Sequence, residues 1–208
     1  MTRVKVCGVT SRHDADAAVE LGADALGFIL VPESPRYVGE RSDLPDLLAS
    51  LPPFVARVAV SRRARLPDAI AAELDAVQFY DGSASEARTA GKRILRVVRL
   101  RGPESIEEAE KAATDADALV LDAYSPHALG GAGVPVDRAL ASAIRSSVGC
   151  PVVLAGGLDP EKVAEAIRAV RPYAVDVSSG VESAPGVKDR GKLRAFIEAV
   201  RSADAEER

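Results

Sequence analysis

Tryptophan is absent, aromatic residues make up only 4% of 208 residues, and cysteine and histidine occur twice each. This scarcity excludes a disulfide-dense scaffold, and Cys7, Cys150, His13 and His127 show no metal-ligand spacing, so no metal site is expected. No apolar run reaches the roughly 18 residues of a spanning helix. Residues 1–10 lack the apolar centre of a secretory signal, so a soluble, cytoplasmic protein without a membrane partner is expected. Net charge is −4. The basic cluster Arg57, Arg62, Arg63 and Arg65 reads as a solvated rim, which argues against a nucleic-acid partner.

What the chain has instead is aliphatic sequence. It is 47% hydrophobic and 28% charged, enough for one core and one domain over 1–208. The polar stretch 202–208 is expected to fray. Continuous Val/Ile/Leu runs, the mark of strands buried on both faces, fall at 3–7, 25–30, 55–61, 76–80, 93–99, 118–122, 151–155 and 174–178. Helical spacing of apolar residues falls between and after them, at 12–21, 41–50, 67–74, 84–90, 104–113, 136–147, 160–170 and 189–201. Strict alternation without a composition break predicts a single-domain α/β fold, a closed (β/α)8 TIM barrel with short loops.

In such a barrel the chemistry comes from the C-terminal ends of the strands. Cys7 ends the first strand, followed by Gly8, which breaks it, and by Thr10 or Ser11, which can cap the next helix. Cys150 precedes the seventh strand. The two thiols therefore lie at opposite ends, about 15 to 20 Å apart along the strands, too far for a disulfide. The other polar rim residues are Arg36, Ser61, Arg62, Arg63, Tyr80, Asp81, Asp122, Asp176, Ser178 and Ser179. Cys7 and Asp122 are the pair able to exchange protons, provided the thiol pKa is lowered by basic neighbours and the carboxyl pKa raised by desolvation.

Two glycine-rich strand ends complete the rim. Gly156 and Gly157 precede Asp159-Pro160, which reads as the cap and first position of a helix. Ser179 and Gly180 follow the eighth strand. Loops after strands 7 and 8 are where these barrels commonly hold a phosphate. A third glycine stretch, 130–133, contains Gly131 and reads as a cover over the ligand with a further phosphate contact.

The segments KVCGVT (5–10), LGADALGFILVPESPRYV (21–38), LPPFVARVAV (51–60), DAVQ (75–78), LVLDAYSP with GGAG (119–133), LAGGLDPEKVAEAI (154–167) and RPYAVDVSSGVESAPGVKD (171–189) resemble the phosphoribosylanthranilate isomerase family of tryptophan biosynthesis. The likeness covers the whole chain, in the same order and spacing. It implies a cofactor-free Amadori rearrangement of N-(5-phosphoribosyl)anthranilate, a phosphorylated sugar-anthranilate, to 1-(2-carboxyphenylamino)-1-deoxyribulose 5-phosphate. On that likeness Cys7 is the catalytic base, Asp122 the catalytic acid and Arg36 the group that binds the anthranilate carboxylate. Asp176 either hydrogen-bonds the ribose or braces its neighbouring strands.

Three segments depart from the family pattern. Gln78-Phe79-Tyr80-Asp81 stands where the family has QLHG, Ala59-Val60-Ser61-Arg62-Arg63 where it has a GVFVN-like strand end, and residues 130–138 lack the usual lysine, threonine and aromatics. All lie on one side of the rim, so they bear on the aromatic-ring pocket and the cover rather than on the acid and base. Arg62 or Arg63 is the candidate for the missing positive charge. Two alternatives follow: an aldose-ketose isomerase of a related phosphoribosyl amine, or a non-catalytic sugar-phosphate-binding barrel. The Leu51-Pro52-Pro53-Phe54 turn fits either a packed barrel bottom or a dimer patch, so a monomer or a homodimer is expected.

Overall fold

The computed structural model describes residues 1–124 and 135–206. The aliphatic runs form β1 (Arg3–Cys7), β2 (Ala25–Ile29), β3 (Ala56–Ser61), β4 (Ala76–Phe79), β5 (Arg93–Leu100), β6 (Ala118–Ala123), β7 (Val152–Leu154) and β8 (Ala174–Val177). All pair in parallel in sequence order, and β8 returns to β1 through Arg3↔Ala174 and Lys5↔Asp176, closing the barrel. The helices are α1 (Arg12–Leu21), α2 (Leu44–Ala49), α3 (Asp68–Ala71), α4 (Ser85–Thr89), α5 (Ser105–Ala113), α6 (Arg138–Ser147), α7 (Val163–Val170) and α8 (Arg190–Glu206).

Alternation along each strand sorts the side chains into two cores. On β6, Leu119 and Leu121 belong to the large apolar layer that includes Ile144 of α6 and Phe196 of α8. Val120 joins Val97, Val153, Ala155 and Ala174 in a small inner cluster, with Tyr80 and Leu95 packed against it. Asp122, two residues beyond Val120, is therefore carried to the mouth on the inner face. The same period places Lys5 and Cys7 on the inner face of β1.

Local chemistry explains several boundaries. Ser11 caps α1, accepting from the Asp14 N–H at 3.1 Å, and Gly22 ends it at φ 100°. Asp137 caps α6 through the Leu140 N–H. The expected helix at 160–170 begins later, at Val163. Asp159 accepts from the N–H groups of Glu161 and Lys162, so residues 160–162 form a capped turn ahead of the helix. The expected helices at 41–50 and 67–74 are shorter too, because Leu44, Glu73 and Leu74 close four-residue turns instead.

The structure also contains a feature absent from the sequence expectation. After β8 the chain makes a 3-10 turn, Ser179–Val181, and then a small hairpin, β9 (Glu182–Ala184) and β10 (Val187–Lys188). Its strands are too short for a periodicity signal.

The expectation of a frayed 202–208 is corrected over 202–206. There α8 continues, Ala203 is fully buried, and Asp204 accepts from both the backbone N–H and the hydroxyl of Thr2 at 2.7 Å. Residues 207–208 lie outside the described residues. At the face opposite the C-terminal strand ends Leu51 is buried whereas Phe54 is 95% exposed, so Phe54 is not part of the barrel floor.

Candidate active site

Cys7 ends β1 with its side chain buried in the mouth. Gly8, at φ 71°, lets the chain leave the strand. A Cβ there would stand 2.5 Å from Cδ of Arg36, so the arginine stem lies across this glycine. Arg36 donates through Nε and Nη2 to the two carboxylate oxygens of Glu182, at 2.8 and 2.7 Å. Lys188 joins the pair, donating to Glu182 Oε1 at 2.8 Å and to the Cys7 carbonyl at 2.6 Å. The hairpin after β8 is thereby fastened to the end of β1. Burial opposes the Glu182 charge, yet hydrogen bonds from Arg36 and Lys188 hold its pKa below the usual glutamate value.

On the other side of the mouth, Asp122 is 8% exposed and accepts from the Ala123 N–H at 2.9 Å. Burial, reinforced by the negative charge of Asp176, raises its pKa to about 6. Gly156, at φ 83°, approaches so closely that a Cβ would meet the Ala123 nitrogen at 2.7 Å and Asp122 Oδ1 at 3.1 Å. This glycine makes room for the carboxyl. Tyr80 faces the same space. Burial, with Asp122, Cys7 and Asp176 nearby, pushes its pKa far up, so the phenol keeps its proton. Arg99, in register with Asp122, has its guanidinium 5.9 Å from the Tyr80 ring and 5.5 Å from the Tyr124 ring.

Asp176 lies between the two halves, its Oδ2 accepting from Lys5 Nζ at 2.6 Å. Among the described residues, buried Asp176 Oδ1 and Ser178 Oγ meet no hydrogen-bond partner. Both belong to the strand end that faces the mouth, where a polar ligand would satisfy them. The loops after β7 and β8 touch directly, because a Cβ on Gly180 would fall 2.0 Å from the Leu158 carbonyl oxygen. Gly157, at φ 64°, continues the turn begun by Gly156. Among the described residues, no group of three or more His, Cys, Asp or Glu side chains is placed to hold a metal, and no helix is long and apolar enough to cross a membrane.

The family model for N-(5'-phosphoribosyl)anthranilate isomerase matches residues 4–199. The chain belongs to this isomerase family. A relative of that name from Geobacter sp. (strain M21) is 45% identical over 202 residues, covering 95% of this chain and 97% of the relative. The solved phosphoribosyl anthranilate isomerase of Thermotoga maritima is 35% identical, with a TM-score of 0.83 over 97% of this chain and 100% of its own. A further solved isomerase, in complex with reduced 1-(o-carboxyphenylamino)-1-deoxyribulose 5-phosphate, is 35% identical with a TM-score of 0.82, over 97% of this chain and 100% of its own.

Within this family frame, the residues singled out from the sequence divide clearly. Cys7, Asp122, Asp176, Gly156 and Gly157 reach one mouth, with Arg36, Ser179 and Gly180 around it, while Gly131 lies outside the described residues. One expectation is corrected: basic neighbours do not bring the Cys7 thiol below its usual pKa. Burial pushes it up, and Lys5 and Lys188 pull against that without overcoming it. Arg62 pairs with Glu33 at 3.3 Å, both largely exposed, which gives it a partner on the surface rather than in the mouth. Sequence reasoning did not single out Lys5, Glu182, Lys188 or Arg99. The strand period signals Lys5, which shares the inner face with Cys7. Nothing local signals Glu182 and Lys188, because their partners are 146 and 181 residues distant.

Proposed function

We propose that the protein catalyses the isomerisation of N-(5-phosphoribosyl)anthranilate to 1-(2-carboxyphenylamino)-1-deoxyribulose 5-phosphate, the Amadori step of tryptophan biosynthesis. The observation that carries this reading is a buried thiol and a buried carboxyl of pKa about 6 facing one mouth in a chain of this family. Asp122, protonated, gives its proton to the furanose ring oxygen as the C1–O bond breaks, leaving an iminium at C1. The Cys7 thiolate removes the C2 proton, and the C–H electron pair forms the C1=C2 bond of an enolamine. The C2 hydroxyl then loses its proton and C1 gains one, giving the ketone. Atoms balance without an added reagent.

The other site residues have complementary roles in this reading. Glu182 occupies the Nε–Nη2 edge of Arg36, so the edge carrying Nη1 meets the anthranilate carboxylate. Asp176 Oδ1 and Ser178 Oγ, buried and unpartnered among the described residues, hydrogen-bond the ribose hydroxyls. The backbone at Gly156, Gly157, Ser179 and Gly180 receives the phosphate. Tyr80 and Arg99 line the aromatic-ring side.

The test is steady-state turnover of freshly prepared phosphoribosylanthranilate, followed by loss of its fluorescence. The native chain, Cys7→Ser and Asp122→Asn are compared side by side. Turnover that falls at least about 100-fold in both variants supports the assignment. A folded native chain that binds the reduced product analogue without turning over substrate would leave only a binding barrel.

A further inference from the structure

Three cations reach the Cys7 end of β1. Two are turned toward other partners. Arg36 directs Nε and Nη2 at Glu182. Lys188 Nζ has three acceptors for its three protons: the Cys7 carbonyl at 2.6 Å, Glu182 Oε1 at 2.8 Å and the Ser178 carbonyl at 3.4 Å. Lys5 differs. It is 3% exposed, sits two residues before Cys7 on the inner face of the same strand, and donates to Asp176 Oδ2 at 2.6 Å. Its other protons have no further acceptor among the hydrogen bonds of the described residues. Lys5 Nζ and Cys7 Sγ flank the same backbone point, for a Cβ at Gly27 would lie 2.8 Å from Sγ and 3.1 Å from Nζ.

We propose that Lys5 is a positioning residue whose charge favours the Cys7 thiolate against the burial that opposes it, with Asp176 anchoring the ammonium and Gly27 keeping open the space that sulfur and ammonium flank. This rests on Cys7 being the base. A buried ammonium is costly wherever it stands in a barrel interior. A brace between β1 and β8 alone would need only the Asp176 contact. The approach of Nζ and Sγ to the same point at Gly27 puts the positive charge beside the place where the thiolate forms. Burial works against the Lys5 charge, but Asp176 and Cys7 outweigh it and keep the lysine protonated. The other charged or titratable groups felt at Cys7 are Asp176 from β8, Lys188 from β10, Tyr80 just after β4 and Arg36 from the loop after β2. Of the cations there, Lys5 acts most strongly on the charge of Cys7.

The experiment is the pH dependence of Cys7 alkylation by iodoacetamide, read at peptide level so that Cys150 is counted separately. The variants are Lys5→Gln, Lys5→Arg and Gly27→Ala, each checked for folding by its melting transition. Lys5→Gln keeps a donor for Asp176 and removes the charge. Its alkylation midpoint is expected to rise by about one pH unit or more, a tenfold loss of thiolate at a given pH. Lys5→Arg restores most of the native midpoint. Gly27→Ala leaves every charge in place and pushes ammonium and sulfur apart, so its midpoint rises too and decides the matter if Lys5→Gln does not fold. The high-pH limb of kcat/KM moves up with the midpoint in each case, which a purely structural brace would not produce. Native midpoints in the folded variants would overturn the role of Lys5 and leave the base assignment standing. Undiminished turnover in Cys7→Ser would overturn the base assignment itself.

Discussion

Arg36 and Glu182 meet at the barrel mouth through two hydrogen bonds of 2.8 and 2.7 Å, from a loop after β2 to a hairpin after β8. Arginine there is held rigid on one edge before any ligand arrives, and so is pre-organised for a carboxylate on the other.

Removing the charge that orients it gives the first prediction. In Glu182→Gln, Arg36 and Lys188 lose their shared anion. KM for the phosphoribosylated substrate is expected to rise at least about tenfold with a smaller change in kcat. Stability falls by on the order of 2 to 3 kcal/mol because two buried cations lose their partner. Steady-state kinetics and urea denaturation check both.

The second concerns pH. In the proposed mechanism the competent form of the pair is thiolate with carboxylic acid, one proton in all, whereas burial keeps the thiol above its usual pKa and sets Asp122 at about 6. The plot of kcat/KM against pH is therefore expected to rise through about 6 as the pair loses its first proton. It falls above the ordinary thiol range as the second is lost. In Asp122→Asn the thiol alone titrates, so the rise moves from about 6 up to the thiol range and the fall disappears, along with most of the activity.

Stability supplies a third. The Asp122 pKa is raised from 3.8 to about 6 on folding, so the folded state binds the proton more tightly than the unfolded one. Stability is fully present below about pH 4 and is lost progressively as pH rises through 6. The cost at neutrality is about 3 kcal/mol, from roughly two pKa units. Asp122→Asn, which has no charge to bury, is expected to melt higher than the native chain at pH 7.5, with the gap closing near pH 4. Calorimetry at the two pH values reads it.

A fourth prediction separates loop contact from turn freedom at Gly180. In Gly180→Ala the new methyl collides with the Leu158 carbonyl oxygen, 2.0 Å away, and pushes the loops after β7 and β8 apart. Inhibition by inorganic phosphate is expected to weaken by about tenfold or more, since a small misplacement of donors is felt strongly. Phosphate inhibition measured against the same substrate tests it.

The C-terminal helix provides the contrasting case. Asp204→Ala removes two hydrogen bonds to Thr2 at the far end of the barrel from the mouth. It is expected to cost about 1 to 2 kcal/mol of stability and to leave kcat/KM within about twofold. Denaturation and kinetics on one preparation check the two halves together.

The barrel was legible because its strands are buried on both faces. The runs around Val4, Leu26, Val58, Val97, Val120, Val153 and Val175 need no partner to be recognised, and alternation along β1 and β6 already puts Cys7 and Asp122 at strand ends. Short helices were read less well. In α2 and α3, tight turns at Leu44, Glu73 and Leu74 override a pattern that propensity alone would have extended. The tail at 202–206 looked polar, and only the docking of Ala203 and the clasp of Asp204 on Thr2 make it helix.

By itself, the sequence determined the architecture, the family, and which thiol and carboxyl stand at the rim, because periodicity and motif spacing are local properties of the chain. Tertiary structure alone decided how those groups are charged. The neighbours that set the state of Cys7 come from β1, β8 and the hairpin, and the burial that raises Asp122 comes from closure of the barrel. Desolvation and Coulomb energy depend on distances through space, and such distances exist only once Lys5 and Asp176, 171 residues apart, lie 2.6 Å from each other.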